Sequence, residues 1–142
     1  MSYIKIALMS FFLLITACTA EEEINEIDNP EDVAIAFFDA LYNKKDVKKA
    51  ASACSPQLAR IILHYKSPQA VARHLFNMKY DSVKINPDDS GVKVREQFKD
   101  SAEITLYFDG IYNENRIKDI KRISLVQQEN GWVIDKILKD PF

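Results

Sequence analysis

The chain has 142 residues, enough for one domain with a modest core and too few for two. Its 19 Lys and Arg nearly balance 21 Asp and Glu, which argues against a nucleic-acid partner, because neutralising a phosphate backbone calls for a strongly basic face. Three glycines, isolated at 91, 110 and 131, exclude a Gly-rich phosphate loop; histidines at 64 and 74, without His-Glu-x-x-His or Cys-x-x-Cys spacing, point to no metal and no cofactor.

Met1 to Lys5 forms a short, singly charged head, Ile6 to Ala17 is mostly apolar, and small residues follow, the three-part layout of a secretory signal. A membrane span needs roughly 20 apolar residues, so this run is too short to remain as an anchor by itself. Ile15-Thr16-Ala17-Cys18 resembles the lipobox of bacterial lipoproteins, with Ile15 where leucine is more usual. The resemblance implies a signal peptide over 1–17 and lipidation of Cys18, which makes the membrane itself a partner. Thr19 stands where an aspartate would resemble an inner-membrane retention signal, which points to the outer membrane facing the periplasm. Cleavage after Ala20 is the alternative, since Cys18-Thr19-Ala20 also fits a small-x-small site.

Residues 18–29 then read as the lipidated cysteine and an acidic tether, with Glu21, Glu22, Glu23, Glu26 and Asp28 and no basic residue. From Thr19 to Asn29 it would span at most about 36 Å fully extended, at roughly 3.3 Å per residue. Alternatively, Ile24 and Ile27 lie one helical turn apart and dock on the domain.

A single domain is expected over 30–142, opening with helices. Asn29 suits an N-cap, Pro30 the first helical position, and Glu31 and Asp32 the positive end of the helix dipole. Val33, Phe37 and Leu41 form one stripe and Ala34, Phe38 and Tyr42 another, with Ala36 and Ala40 allowing close approach, while Asp39 faces solvent. Lys44, Lys45, Lys48 and Lys49 form a basic patch suited to a helix C-terminus or to anionic headgroups. A short helix follows Asp46, with Val47, Ala50, Ala51 and Cys54 inward. With Cys18 lipidated, Cys54 has no disulfide partner and reads as a buried, inert thiol. Ser55-Pro56 and Ser67-Pro68 open two more helices, with Leu58, Ile61, Ile62 and Tyr65, then Val71, Leu75 and Met78, on their apolar faces.

After Tyr80 the period changes from 3.6 to 2, and turn residues at Pro87 to Gly91, Lys99 to Ser101, Asp109 to Asn115 and Glu129 to Gly131 separate five strands. Ala102, Ile104, Leu106 and Phe108 alternate with Glu103, Thr105 and Tyr107, a sheet with one buried and one wetter face. Asn130-Gly131 predicts a two-residue hairpin turn. Helices followed by an antiparallel meander imply an α+β fold with N-terminal helices packed on one face of the sheet.

The element order, the opening Asn29-Pro30-Glu31-Asp32-Val33 helix, the Asp46-Val47-Lys48-Lys49-Ala50 start and the closing Gly131-Trp132-Val133-Ile134-Asp135-Lys136-Ile137 strand resemble the nuclear-transport-factor-two-like family. That resemblance implies a cone, a curved antiparallel sheet wrapped around a long helix with a pocket at its open end. Members of the family include ketosteroid isomerase, polyketide cyclases and non-enzymatic binding modules, so fold alone leaves function open. An isomerase-like enzyme would need a carboxylate in an apolar cleft and a buried phenol or protonated acid. Glu96, sharing a strand face with Val92, Val94 and Phe98, is the candidate inward carboxylate; Tyr42 and His74 are the candidate partners, with the bland readings a solvent-facing acid and a rim histidine. His64 carries no functional reading, and Lys121, on a face with Ile117 and Ile123, can snorkel. The expected function is a membrane-anchored, non-catalytic module binding a small apolar ligand or an envelope protein. An isomerase- or cyclase-like enzyme is the first alternative, and a structural module forming a homodimer the second.

Overall fold

The computed structural model describes residues 29–87 and 95–139, with the side chains of 95–97 outside the description. Residues 1–28, including Cys18 and the tether, lie outside the described residues, as do Val92 and Val94. Four helices lead: α1 (Pro30–Tyr42), α2 (Val47–Ser52), α3 (Pro56–His64) and α4 (Pro68–Val71), the last running into a π-helical segment, Ala72–Phe76. Five strands follow: β1 (Ser82–Pro87), β2 (Arg95–Phe98), β3 (Ser101–Tyr112), β4 (Asn115–Gln128) and β5 (Gly131–Ile137). The protein is α+β, helices first and an antiparallel sheet after.

Each helix starts where its capping chemistry places it. Asn29 accepts from the Glu31 amide at 3.0 Å, Asp46 from Lys49 at 3.0 Å, Ser55 from Leu58 at 3.4 Å and Ser67 from Ala70 at 3.2 Å, each satisfying a donor that the first helical turn leaves unpaired. Both stripes of α1 are buried, from Val33 and Ala34 to Leu41 and Tyr42. They meet Ile104, Leu106 and Phe108 of β3 and Ile123 and Leu125 of β4 in one core. Burying each such side chain contributes about 1.5–3 kcal/mol, which is why the 3.6-residue and two-residue patterns decide the packing.

β3 and β4 form the long central hairpin, with Ser101 opposite Val126 at one end and Tyr112 opposite Asn115 at the other. β1 and β2 share the far edge of β3, β1 against Leu106 to Ile111 and β2 against Ser101 to Ile104. β5 pairs β4 with a register shift between Ser124 and Leu125. Its outer edge is covered at Ile134, which donates to Ala53 O (2.8 Å) and accepts from the Ser55 amide (2.7 Å). β1 is fastened to α1 by Asn43, whose carboxamide accepts from the Val83 amide at 3.0 Å and donates to the Val83 carbonyl at 2.9 Å.

Five local expectations are corrected. β3 runs through Asp109 to Tyr112, so the expected seven-residue turn shrinks to Asn113 and Glu114, both at positive φ (48° and 65°), as a twist-matched two-residue hairpin requires. Gly110 is therefore a strand residue: a Cβ there would collide with the Tyr80 ring and the Ser82 carbonyl. The last turn is Glu129-Asn130, and Gly131, at φ 115°, absorbs the positive φ as the first residue of β5. α2 ends at Ser52, so Cys54 is buried beside β5 instead of on a helix, its thiol donating to Ala50 O at 3.5 Å and pushed well above its ordinary pKa by burial. On α3, Ile61 is 47% exposed, because the helix turns Leu58 and Ile62, with Ala59 beside them, toward the core.

The π-helical segment accounts for a sixth difference. Hydrogen bonds from i to i+5 widen the turn, and the large side chain that enters the core after Val71 and Ala72 is Phe76, not Leu75. Leu75 is half-buried and His74 is carried out to solvent.

Candidate functional site

A cleft with an internal volume of about 210 Å³ opens where the end of α1, α4 with the π-helical segment, the 79–81 connection and the tip of β3 meet. Its floor is apolar and aromatic: Leu41 and Tyr42 complete the two buried stripes of α1, Ala72 begins the widened turn, and Tyr80 is 6% exposed. Two left-handed residues shape it. Lys45 (φ 53°) reverses the chain after α1, so that its ammonium returns to the Tyr42 carbonyl at 3.0 Å and the Asp81 carbonyl at 3.4 Å. Asn77 (φ 51°) ends the π-helical segment and sets the extended alternation in which Met78 and Tyr80 are buried while Lys79 and Asp81 are exposed.

Behind the floor lies an aromatic cluster. The Tyr42 ring meets Tyr80 edge-on at 5.4 Å between centroids, Tyr80 stacks near Phe108 at 6.2 Å, and Phe38 meets Phe108 and Phe76 edge-on at 4.9 and 5.1 Å. Both phenolic protons are committed: Tyr42 donates to the Met78 carbonyl at 3.1 Å and Tyr80 to Asp119 Oδ2 at 2.6 Å. Burial pushes both phenols above their ordinary pKa, with the Asp119 carboxylate reinforcing the shift at each. Such groups hold the cleft in shape and present neutral, apolar ring surface at every ordinary pH.

The rim has a different character. Lys45, Arg73 and Lys79 line the mouth and are exposed, against a single carboxylate, Asp81. Asp81 is held by the β3–β4 turn, accepting from the Asn113 amide at 2.9 Å, and its own amide donates to Ile111 O at 2.7 Å. Lys79 Nζ lies 5.9 Å from the centroid of the Tyr112 ring, another lining residue, within cation–π range.

Of the residues singled out in the sequence, Tyr42 lines the cleft. His74 does not: it is exposed and stacks on Tyr65, ring centroids 5.2 Å apart. The α-helical spacing that placed it beside the Tyr42 side of the fold fails at the π-helical segment. The Glu96 backbone stands opposite Glu103 in the β2–β3 ladder, and its side chain lies outside the described residues. Asp39 is half-exposed and bound to Asn43 (2.7 Å) and Lys44 (3.4 Å). The four-lysine patch is divided, since Lys44 pairs with Asp39 while Lys45 enters the cleft. Lys121 is buried on the inner face opposite Leu106.

Asp119 and Tyr80 escaped the sequence reading. The two-residue period that aligned Ile117, Lys121 and Ile123 also carries Asp119 to the inner face, opposite Phe108, so the signal was present. Arg73, Lys79 and Tyr112 had none, because the π-helical segment and its exit supply the first two and the tip of β3, over thirty residues later, supplies the third. Among the described residues, no three His, Cys, Asp or Glu side chains group as a metal site would require. Compared with protein-family models, characterised proteins and solved structures, the chain matches none.

Proposed function

We propose that this chain is a lipid-anchored binding module, a nuclear-transport-factor-two-like cone held at the outer membrane by acyl chains on Cys18 and receiving a small apolar ligand in the cleft over Tyr42 and Tyr80. The observation that carries the binding reading is the cleft itself: about 210 Å³ floored by Leu41, Tyr42, Ala72 and Tyr80. An apolar cavity of about 150 Å³ takes a benzene-sized guest, so this volume suits one ring or a short branched chain. What weighs against a proton-shuttling enzyme is that both floor phenols already donate to protein acceptors, the Met78 carbonyl and the Asp119 carboxylate. The anchor reading is supported by the Ile15-Thr16-Ala17-Cys18 pattern at the end of an apolar run.

Native mass spectrometry of the protein purified from its own membrane tests both parts together. The expected result is a chain beginning at Cys18 with added acyl mass and a copurified small molecule. Cys18→Ser is expected to release the protein from the membrane fraction, since each acyl methylene contributes about 0.8 kcal/mol of membrane affinity and two chains anchor stably. A Cys18→Ser variant that remains membrane-bound overturns the anchor, and a cleft in which no apolar probe binds overturns the ligand.

A further inference from the structure

We infer that the cleft selects small organic anions: ligands with one apolar or aromatic body for the floor and a carboxylate-type group for the rim. The inference rests on the binding reading above and adds the charge of the ligand to it. Three cationic side chains, Lys45, Arg73 and Lys79, line one mouth of about 210 Å³, and the single carboxylate there, Asp81, is already engaged by the Asn113 amide. None of the three cations forms an ion pair with a carboxylate among the described residues. Lys45 is held by two backbone carbonyls, and Lys79 lies near the Tyr112 ring. The chain as a whole is mildly acidic, formal net charge −2, so a positive mouth is a local arrangement and not the spill-over of a basic surface.

The division of labour within the cleft points the same way. The floor offers ring faces and alkyl groups whose polar atoms are satisfied, so it supplies apolar contact without a preference for charge. The rim supplies positive charge that no carboxylate pairs with among the described residues, since the hydrogen bonds of Lys45 go to neutral carbonyls. Arg73 adds a planar fork suited to a carboxylate, and Lys45 and Lys79 add two ammonium groups to the same mouth. A neutral guest fills the floor and leaves this field unused; an anionic guest of the same shape uses both. A guest with a cationic head meets repulsion from three side chains.

The test compares phenylacetate with its neutral isostere phenylacetamide, titrated by ligand-observed nuclear magnetic resonance against the full chain as processed by its host cell. Each charge contact in water-like surroundings is worth a few-fold in affinity, so phenylacetate is expected to bind about tenfold more tightly at low salt. That preference is expected to shrink in high salt. An Arg73→Gln/Lys79→Gln double variant alters only exposed side chains and is expected to bring the two affinities together, while Lys99→Gln/Lys136→Gln, at the opposite end of β3 from the cleft, is expected to leave the preference intact. Equal binding of both probes overturns the anion selectivity and leaves the binding module standing. Binding of neither overturns both. A preference for phenylacetate that survives Arg73→Gln/Lys79→Gln removes the rim as its cause.

Discussion

Asn43 supplies, with one carboxamide, what a neighbouring strand would otherwise supply to β1. It accepts from the Val83 amide and donates to the Val83 carbonyl, satisfying two groups on an open sheet edge and tying it to the end of α1. Asn43→Ala leaves both without a protein partner. It is expected to lower stability by about 1–3 kcal/mol in a urea titration and to raise hydrogen exchange at the Val83 amide. A loss within a few tenths of a kcal/mol would mean that water replaces both bonds at no cost. No local pattern marks this role of Asn43, because it depends on a residue forty positions later. Gly110 is a comparable case. It read as a turn glycine, yet it lies in a strand where the Tyr80 ring and the Ser82 carbonyl leave no space for a side chain.

The elements were legible where local chemistry dictates them. Four caps sit on Asn29, Asp46, Ser55 and Ser67, and the alternation of β3 buries Ala102, Ile104, Leu106 and Phe108 in turn. Legibility failed where the backbone leaves its regular period. Nothing in Ala72-Arg73-His74-Leu75-Phe76 marks the π-helical turn, and with it went the inward residue and the placement of His74. The two readings differ measurably. Phe76, 3% exposed and in ring contact with Phe37 and Phe38, is expected to cost about 3–5 kcal/mol on change to Ala, and half-buried Leu75 clearly less. The reverse order in thermal or denaturant unfolding would restore a plain α-helical register. The β3–β4 turn offers a gain instead. Glu114, at φ 65°, occupies a left-handed position that disfavours a side chain by about 1 kcal/mol. Glu114→Gly is expected to raise stability by about 0.5–1 kcal/mol, net of the extra freedom of an unfolded glycine, with Asn113 still donating to Asp81. A destabilised variant would show that Glu114 makes a contact worth more than its strain.

At the scale of the molecule, the helical half and the sheet half are held together through a core that also contains the floor of the cleft, and this couples the site to global stability. The floor residues Leu41 and Tyr42 were legible from the α1 period; the rim was not, because no local pattern gathers residues 45, 73, 79 and 112. The core holds three weak acids kept neutral by burial: the Tyr42 and Tyr80 phenols and the Cys54 thiol, each with its folded pKa raised. In the unfolded chain a thiol loses its proton near pH ~8.5 and a phenol near pH ~10. Below these values both states carry the same protons and the full stability is present. Above them the unfolded state releases protons that the folded state retains, so stability falls as pH rises, by up to about 1.4 kcal/mol per pH unit for each group past its unfolded pKa. The urea midpoint is therefore expected to hold steady to about pH 8, to decline through the thiol range and to fall more steeply above about pH 10. Tyr42 and Tyr80 should then gain tyrosinate ultraviolet absorbance only as the chain unfolds. Tyr80→Phe removes one of the three acids together with the bond to Asp119. It is expected to flatten the alkaline limb while lowering stability near neutral pH, since Asp119 loses its donor. Ionisation of both buried phenols at the ordinary value in a chain that stays folded would mean that water reaches the cleft floor freely, and the closed aromatic base on which the proposed ligand site depends would be lost with it.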